Sequence, residues 1–218
     1  MIELQHIDKS YGTLHVLRDI SLSIGQREII TVIGPSGAGK TTLLQIAGTL
    51  DRPDCGRVIY DGEEISGMPD RKLSHFRNRN IGFVFQFHQL LPEFTAQENV
   101  AIPAMIAGRS RSSSMKRASE LLSMLGLGER LRHKPAQMSG GERQRTAIAR
   151  ALVNDPKVVF ADEPTGSLDS VNRDEIRSLI SQLRDELGQT FVIVSHDPSI
   201  ETIADRVVSM NDGRILQM

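Results

Sequence analysis

Apolar residues in the first third of the chain recur with the short period of strands and then with the longer period of a helix. Residues 2–7, 14–24 and 27–34 alternate or run continuously in apolar character, which predicts three strands. Residues 40–48 have helical spacing, and a glycine-rich stretch precedes them. The pattern therefore predicts a buried strand that leads through glycines directly into a helix.

The middle of the chain changes from mixed structure to helix. Residues 56–62 and 81–85 predict strands on either side of a polar helix at 70–79. From about 88 to 152 the apolar spacing is mainly helical. We interpret this block as an insertion into a core that the flanking strands build.

The last third alternates again between strands and helices. Strands are predicted at 157–164, 190–197 and 206–210, with a helix near 170–187 and a short helix before the final strand of these three. The tripeptide NDG at 211–213 then predicts a hairpin. Strands that alternate with helices indicate an α/β core with a largely parallel sheet.

Chain length and composition narrow the class of protein. We expect residues 1–218 to form one domain, with the core and a β part at about 1–87 and 153–218 and a helical part at 88–152. The chain has 26 Lys and Arg against 27 Asp and Glu, so it lacks the basic surplus typical of nucleic-acid binding. The single cysteine, Cys55, permits no internal disulfide and agrees with a reducing compartment.

The sequence shows no pattern typical of a membrane-targeting or membrane-spanning segment. Its N-terminus lacks the basic and apolar regions of a signal peptide. No apolar run approaches the roughly 18 residues that a membrane span needs. We therefore expect a soluble, cytoplasmic protein that contacts a membrane only through partners.

The segment GPSGAGKTT at 34–42 carries the most specific chemical signal. Its first eight residues fit G-x-x-x-x-G-K-[ST] between an apolar strand and a helix. Glycines let the backbone wrap closely, so that N–H groups and the helix N-terminus face phosphates. Lys40 is expected at the β- and γ-phosphates, and the Thr41 hydroxyl at Mg²⁺. The predicted nucleotide-binding residues are Gly34, Pro35, Ser36, Gly37, Ala38, Gly39, Lys40, Thr41 and Thr42.

Acidic, imidazole and amide side chains follow the other strands. Asp162 ends one strand, where its carboxylate can hold Mg²⁺, and Glu163 follows it, where it can polarise an attacking water. His196 ends the next strand, and parallel pairing would bring it to the edge that carries Glu163. Gln86 follows the strand at 81–85, and its uncharged amide can ligate Mg²⁺ or orient water and release either easily.

One aromatic side chain precedes the predicted core. Tyr11 stands in KSYG, before the glycine-rich loop. Its ring can stack on adenine, but it can equally pack locally. The residues alone leave both interpretations open.

A second glycine-rich helix start lies at 137–145, QMSGGERQR. Ser139 and Glu142 have the spacing of a capping box, which accounts for the helix start but not for Gly140 and Gly141. Because each glycine weakens a helix by up to about 1 kcal/mol relative to alanine, we expect something to approach the backbone there. The positive end of the helix suits an anion. Both loops could serve one subunit, although a two-fold dimer in which each second loop closes the other subunit's first loop gives the better geometry.

Six motifs in this order resemble those of the ATP-binding-cassette ATPases. They are GPSGAGKT, FVFQ, MSGGERQR, VVFADEP, SLD and SHD, and they span essentially the whole chain. The resemblance implies a P-loop NTPase fold with a RecA-like, mostly parallel core sheet, an N-terminal antiparallel β subdomain and an inserted helical subdomain. It also implies ATP and Mg²⁺ as cofactors, and a head-to-tail dimer of two copies with two ATP molecules between them.

The resemblance implies a role for each matching residue. Glu163 would be the catalytic base, and Asp169 in SLD would communicate between subunits. The second glycine loop would contact the partner's ATP through Ser139, Gly140, Gly141 and Glu142. Tyr11 would stack on adenine, and His196 would be the switch histidine. Gln86 would be the lid glutamine, and it would ligate magnesium together with Thr41 and Asp162.

A narrower resemblance rests on QFHQLLPEFTAQENV at 86–100. This stretch is similar to that of ATPase subunits in lipoprotein-releasing transporters of Gram-negative bacteria. The resemblance implies permease partners and a peripheral position on the cytoplasmic face of the inner membrane. ATPases of macrolide-type efflux pumps and of cell-division complexes stay open as alternatives.

Two more distant classes fit less well. DNA-repair cassette ATPases carry long coiled-coil insertions, whereas this helical block is short and the charge is near neutral. A P-loop kinase or GTPase would have no need for the second glycine loop, and the chain has no guanine-reading NKxD segment.

Overall fold

An antiparallel sheet packs against a mostly parallel sheet in the computed structural model, which describes residues 2–217. Met1 and Met218, which the domain prediction includes, lie outside the described residues. The antiparallel sheet has the strand order β2 (Leu14–Ile24), β1 (Ile2–Tyr11), β4 (Cys55–Tyr60) and β5 (Glu63–Glu64). β1 extends past the predicted end at residue 7 and carries Tyr11 as its last residue.

The second sheet has six strands, and only its edge hairpin is antiparallel. Its order is β10 (Arg214–Gln217), β9 (Arg206–Asn211), β3 (Ile29–Ile33), β8 (Thr190–Val194), β7 (Val158–Asp162) and β6 (Ile81–Phe85). The predicted hairpin between β9 and β10 is confirmed. Asp212 and Gly213 at its turn both have positive φ, 46° and 75°, as a tight two-residue turn requires.

Seven α-helices are present within residues 2–217. They are α1 (Lys40–Ala47), α2 (Asp70–Asn80), α3 (Ala96–Ile106), α4 (Arg111–Met124), α5 (Gly140–Leu152), α6 (Ser170–Leu187) and α7 (Pro198–Glu201). Two 3₁₀ turns, Gly128–Arg130 and Pro135–Gln137, join α4 to α5. None of the helices in this part of the chain is long and apolar enough to cross a membrane.

The parallel sheet is buried on both faces, which explains its continuous apolar strands. On β7, Val158 and Phe160 pack with the antiparallel sheet and α1. Val159 and Ala161 point the other way and pack with helices α3 to α6. The predicted α/β fold with an N-terminal antiparallel part and a helical part is confirmed, while the boundaries of the helical part at 88–152 stay a prediction.

The helices that border the sheet edge begin in two different ways. α5 starts with the predicted capping box, in which Ser139 Oγ accepts from the Glu142 N–H at 3.1 Å and the Glu142 carboxylate accepts from the Ser139 N–H at 2.7 Å. α6 is capped by the Asp169 carboxylate. α1 instead follows Gly39, whose φ is 97°, and has no side-chain cap. Its first turn is therefore open to a ligand.

Candidate nucleotide site

The predicted site residues follow neighbouring strands at one edge of the parallel sheet. In the register, Val32 of β3 pairs with Val194 of β8, Val194 with Asp162 of β7, and Asp162 with Phe85 of β6. The segments that follow these strands contain the first glycine loop, His196, Glu163 and Gln86. They meet at the carboxyl ends of parallel strands, where α/β proteins bind ligands.

The first glycine loop has a conformation that glycine is needed to form. Gly34 and Gly39 have φ values of 147° and 97°, and a Cβ at Gly39 would come within 2.8 Å of a Leu17 methyl carbon. Lys40 Nζ donates to the carbonyls of Gly34 and Pro35 at 2.8 and 3.0 Å. Within the described residues, the backbone N–H groups of 39–42 have no hydrogen-bond partner. The loop thus presents unpaired donors and a cation to an anion.

Asp162 and Thr41 form a pair of oxygen ligands beside this loop. The Thr41 hydroxyl lies 3.3 Å from Asp162 Oδ2. Burial raises the pKa of the Asp162 carboxyl, and Glu163 adds to the rise. In residues 2–217 no three His, Cys, Asp or Glu side chains are grouped so that they could hold a metal by themselves. A carboxylate and a hydroxyl fit Mg²⁺, which is usually bound through one or two carboxylates plus phosphate oxygens and water.

Glu163 and His196 are brought into direct contact, as the parallel order predicts. His196 Nδ1 lies 2.7 Å from Glu163 Oε1, and the Glu163 side chain is mostly buried whereas that of His196 is exposed. The Ser195 hydroxyl donates to Glu163 Oε2 at 3.3 Å, a contact that the sequence reasoning missed. Glu163 itself has a φ of 49°, a left-handed conformation that costs roughly 1–2 kcal/mol for a non-glycine residue. The carboxylate is thus held from two sides on a strained backbone.

Gln86 lies at the same edge. A Cβ built on Gly166 would be 3.0 Å from Gln86 Nε2 and 3.5 Å from Glu163 Cβ, so the amide lies over the segment that follows Glu163. The backbone carbonyl of Gln86 accepts a hydrogen bond from the Ser167 hydroxyl at 3.1 Å. The position agrees with the predicted sensor, while its ligand role stays a prediction.

The position of Tyr11 is compatible with both interpretations that the sequence left open, local packing and stacking on adenine. Its hydroxyl donates to Asp51 Oδ2 at 2.5 Å, so one end of the side chain is fixed locally. The residue is still 47% exposed. Its pKa is raised to about 12, chiefly by the bond to Asp51, and Thr42 of the first loop is near enough to oppose the rise. The ring is therefore placed next to the phosphate loop and remains accessible.

Gly141, in the second glycine loop, packs against a side chain of another helix. A Cβ built there would lie 2.8 Å from Asn172 Cγ and closer still to Asn172 Oδ1, so a side chain of α6 accounts for this glycine. A Cβ built on Gly140 would meet only a Leu168 methyl carbon, at 3.3 Å. Gly141 thus has a packing reason within the chain that Gly140 lacks, while contact of an anion with both glycines stays a prediction. Sequence could not show this, because Asn172 is distant along the chain.

Side chains in and beside this loop form hydrogen bonds within the chain. Arg130 Nε donates to Glu142 Oε1 at 2.7 Å, and this bond, followed by that from the Ser139 N–H, lowers the pKa of Glu142. Asp169 accepts from the N–H and the amide of Asn172 at 2.9 and 2.8 Å. Within residues 2–217 the N–H groups of Gly140 and Gly141 have no partner, and no hydrogen bond or ion pair joins 139–142 to 34–42.

The parallel sheet, the open glycine loop and the acid-bearing strand ends define a P-loop nucleotide-binding protein. The chain belongs to the ABC transporter family, whose sequence profile matches residues 17–166. It is therefore an ATP-binding protein and an ATPase of that family.

Relatives of known identity are similar over nearly the full chain. The lipoprotein-releasing system ATP-binding protein LolD of Bacteroides thetaiotaomicron is 59% identical over 215 residues, with 99% of each chain covered. Its namesake from Porphyromonas gingivalis is 54% identical over 213 residues, which cover 98% of this chain and 97% of that one.

Solved structures of one ATP-binding cassette, MJ0796, share the whole fold. A dimeric post-hydrolysis state bound to ADP and Pi matches with a TM-score of 0.91 and 38% identity, covering 100% of this chain and 97% of that one. A second dimeric structure, described as a bacterial ABC transporter cassette, matches with a TM-score of 0.91 and 40% identity over the same shares.

Proposed function

We propose that this chain is the ATP-hydrolysing subunit of a transporter that releases lipoproteins from the bacterial inner membrane. One observation carries the enzymatic part: the Glu163 carboxylate, bonded to His196 at 2.7 Å, lies directly after Asp162, which faces Thr41 of the open glycine loop. The lipoprotein part is supported by relatives that are 54–59% identical over nearly their full length and bear that name.

The residues of the site suit hydrolysis of a terminal phosphate. The unpaired N–H groups of 39–42 and the Lys40 ammonium bind the phosphate oxygens, so that charge on the transferring group is stabilised. Mg²⁺ held by Thr41 and Asp162 would supply further charge neutralisation. Glu163 polarises the attacking water as a general base. His196 and Ser195 keep the two oxygens of that carboxylate in position.

A second copy of the chain completes this site. The N–H groups of Gly140 and Gly141 have no partner within the described residues, and they stand at the positive end of α5. No hydrogen bond or ion pair of the described residues joins this loop to the first loop of the same chain. A two-fold pair lets the second loop of one copy cover the phosphates bound to the other. Both Asp169 side chains then lie next to that interface.

An apolar surface next to Gln86 suits a membrane permease as partner. Phe87, Leu91 and Phe94 are 77%, 43% and 41% exposed, which is unusual for large apolar side chains so close together in sequence. The buried Asn99 fixes the shape of this loop, because its side chain bonds to backbone atoms of Leu91, Phe94 and Thr95. A permease bound there would hold the chain at the cytoplasmic face of the inner membrane and would respond to the conformation of Gln86.

The proposal is tested by purifying the chain with its membrane subunits and reconstituting the complex in vesicles that contain a triacylated lipoprotein. We expect Mg²⁺ and ATP to transfer the lipoprotein to a soluble carrier, and we expect no transfer with Lys40→Ala. Phe87→Ser should weaken assembly with the permease, while Ile106→Ser, at a side chain that is 69% exposed elsewhere, should not. ATP hydrolysis without any release of lipoprotein would overturn the substrate and leave the ATPase assignment intact.

A further inference from the structure

A lysine of the antiparallel sheet is buried directly beside Tyr11. Lys9 is only 9% exposed. Its ammonium donates to Asp51 Oδ1 at 3.1 Å and to the Arg52 carbonyl at 2.7 Å, and Asp54 Oδ1 lies 3.6 Å away. These oxygen partners offset the cost of burying the Lys9 side chain.

The ring of Tyr11 is fixed by the same group of residues. Lys9 Nζ lies 5.1 Å from the ring centroid, within the range of a cation–π contact. Asp51 shares its two carboxylate oxygens, one for Lys9 and one for the Tyr11 hydroxyl at 2.5 Å. The neighbouring backbone is held as well, because the Ser10 N–H donates to Asp54 Oδ2 at 2.6 Å.

The group is connected to the helix that carries the phosphate loop. The Asp51 N–H donates to the carbonyl of Gln45 in α1 at 3.2 Å. Thr42, on the first turn of the same helix, lies close enough to the Tyr11 hydroxyl to oppose the rise of its pKa. The residues that hold the Tyr11 ring are therefore joined to the helix that follows the phosphate loop.

We propose that Lys9 and Asp51 are positioning residues that present one face of the Tyr11 ring to the purine base of ATP. This inference rests on the proposed function, since it assumes that the triphosphate lies in the first glycine loop. Lys9 occupies one face of the ring, so a base can stack only on the exposed face. The Asp51 bond prevents the ring from swinging away, which lowers the entropy that is lost when the base binds.

The test compares a ligand that has a base with one that lacks it. Magnesium ATP and magnesium tripolyphosphate are titrated into the nucleotide-free protein by calorimetry, for the wild type, Lys9→Met, Asp51→Asn and Tyr11→Ala. Lys116→Met, at an exposed lysine of α4, is the matched control. We expect each of the three site variants to bind ATP about three- to tenfold more weakly and tripolyphosphate as tightly as the wild type.

A spectroscopic measurement checks the contact itself. The chain has two tyrosines and no tryptophan, so absorbance at tyrosinate wavelengths reports on few groups. Asp51→Asn removes the main cause of the raised pKa of Tyr11. We therefore expect the pKa of Tyr11 in this variant to fall from the wild-type value of about 12 towards the value of about 10 of free tyrosine.

The outcomes separate the inference from the function on which it rests. If Lys9→Met and Asp51→Asn bind ATP like the wild type, or lose ATP and tripolyphosphate equally, the positioning role is wrong. If the wild type binds neither ligand, or Lys40→Ala binds both unchanged, the assignment of the glycine loop fails instead.

Discussion

The contact between Gly141 and Asn172 gives a prediction that separates packing within one chain from contact with a second chain. We consider Gly141→Ala beside Gly140→Ala as its matched control, since both add one methyl group to the first turn of α5. The added carbon at residue 141 would lie 2.8 Å from Asn172 Cγ, whereas that at residue 140 meets only a Leu168 methyl carbon at 3.3 Å.

The size of the effect follows from the side chain that must move. The Asn172 amide has to turn away from a Cβ at residue 141, so it loses its 2.8 Å bond to the Asp169 carboxylate. Adding a methyl group where another side chain already lies costs about 1–3 kcal/mol, and the flexibility of Asn172 favours the lower end of that range. Alanine in a helix returns about 0.5–1 kcal/mol relative to glycine. We therefore expect Gly141→Ala to destabilise the protein by roughly 1 kcal/mol, and Gly140→Ala to be neutral or slightly stabilising.

Thermal unfolding of the nucleotide-free protein measures this difference. For a chain of this length 1 kcal/mol corresponds to about 2–4 °C in Tm. Asn172→Ala should abolish the penalty of Gly141→Ala in a double-mutant cycle. ATP hydrolysis should nevertheless stay low in the double variant, because the methyl group still obstructs the anion of the second copy. Equal stability of the two alanine variants, or no rescue by Asn172→Ala, would refute the steric reasoning.

Three further predictions concern the nucleotide loop, the metal ligand and the loop that faces the permease. Lys40→Ala should weaken ATP binding by on the order of 30- to 100-fold, because it removes a charged donor to phosphate; calorimetry measures this, and unchanged affinity would contradict the loop assignment. Asp162→Asn should raise the Tm of the nucleotide-free protein at pH 7 and stop Mg²⁺-dependent hydrolysis. Burial raises the pKa of this carboxyl, so its ionised form is disfavoured in the folded state, and the advantage of Asn should vanish as the pH falls below about 4, near the unfolded pKa. Asn99→Ala should cost roughly 2–4 kcal/mol in denaturant unfolding, because several buried backbone groups lose their partner; a cost below that of a surface substitution would show that Asn99 does not shape the loop.

The edge of the sheet that carries the site could be predicted from sequence. Alternation of strands and helices requires parallel strands, and parallel strands bring the residues after them to one edge. Glu163 and His196 therefore had to approach each other, and they do so at 2.7 Å. The capping box at Ser139 was likewise predictable, since it depends on residues only three apart.

Contacts that depend on how elements pack could not be predicted in this way. Strict alternation from Ile2 and Leu4 would place Lys9 on the solvent face, but a register shift between Leu4 and Ile7, where His6 has a φ of 53°, moves Ile7 and Lys9 to the buried face. Asn172 approaches Gly141 only because α6 packs beside α5. Each of these contacts joins segments that are far apart in the chain, so no local pattern reports it.

The central claim is that ATP is hydrolysed between two copies of this chain, with Glu163 as the base. The most direct measurement is the mass in solution and the ATPase rate of Glu163→Gln with Mg²⁺ and ATP, beside Lys40→Ala/Glu163→Gln as a control that should not bind the nucleotide. We predict hydrolysis reduced by about 10²–10⁴-fold, as expected for loss of a general base, and a stable dimer of the 24.1 kDa chain that the control does not form. Turnover close to that of the wild type, or a monomer saturated with ATP, would contradict the account.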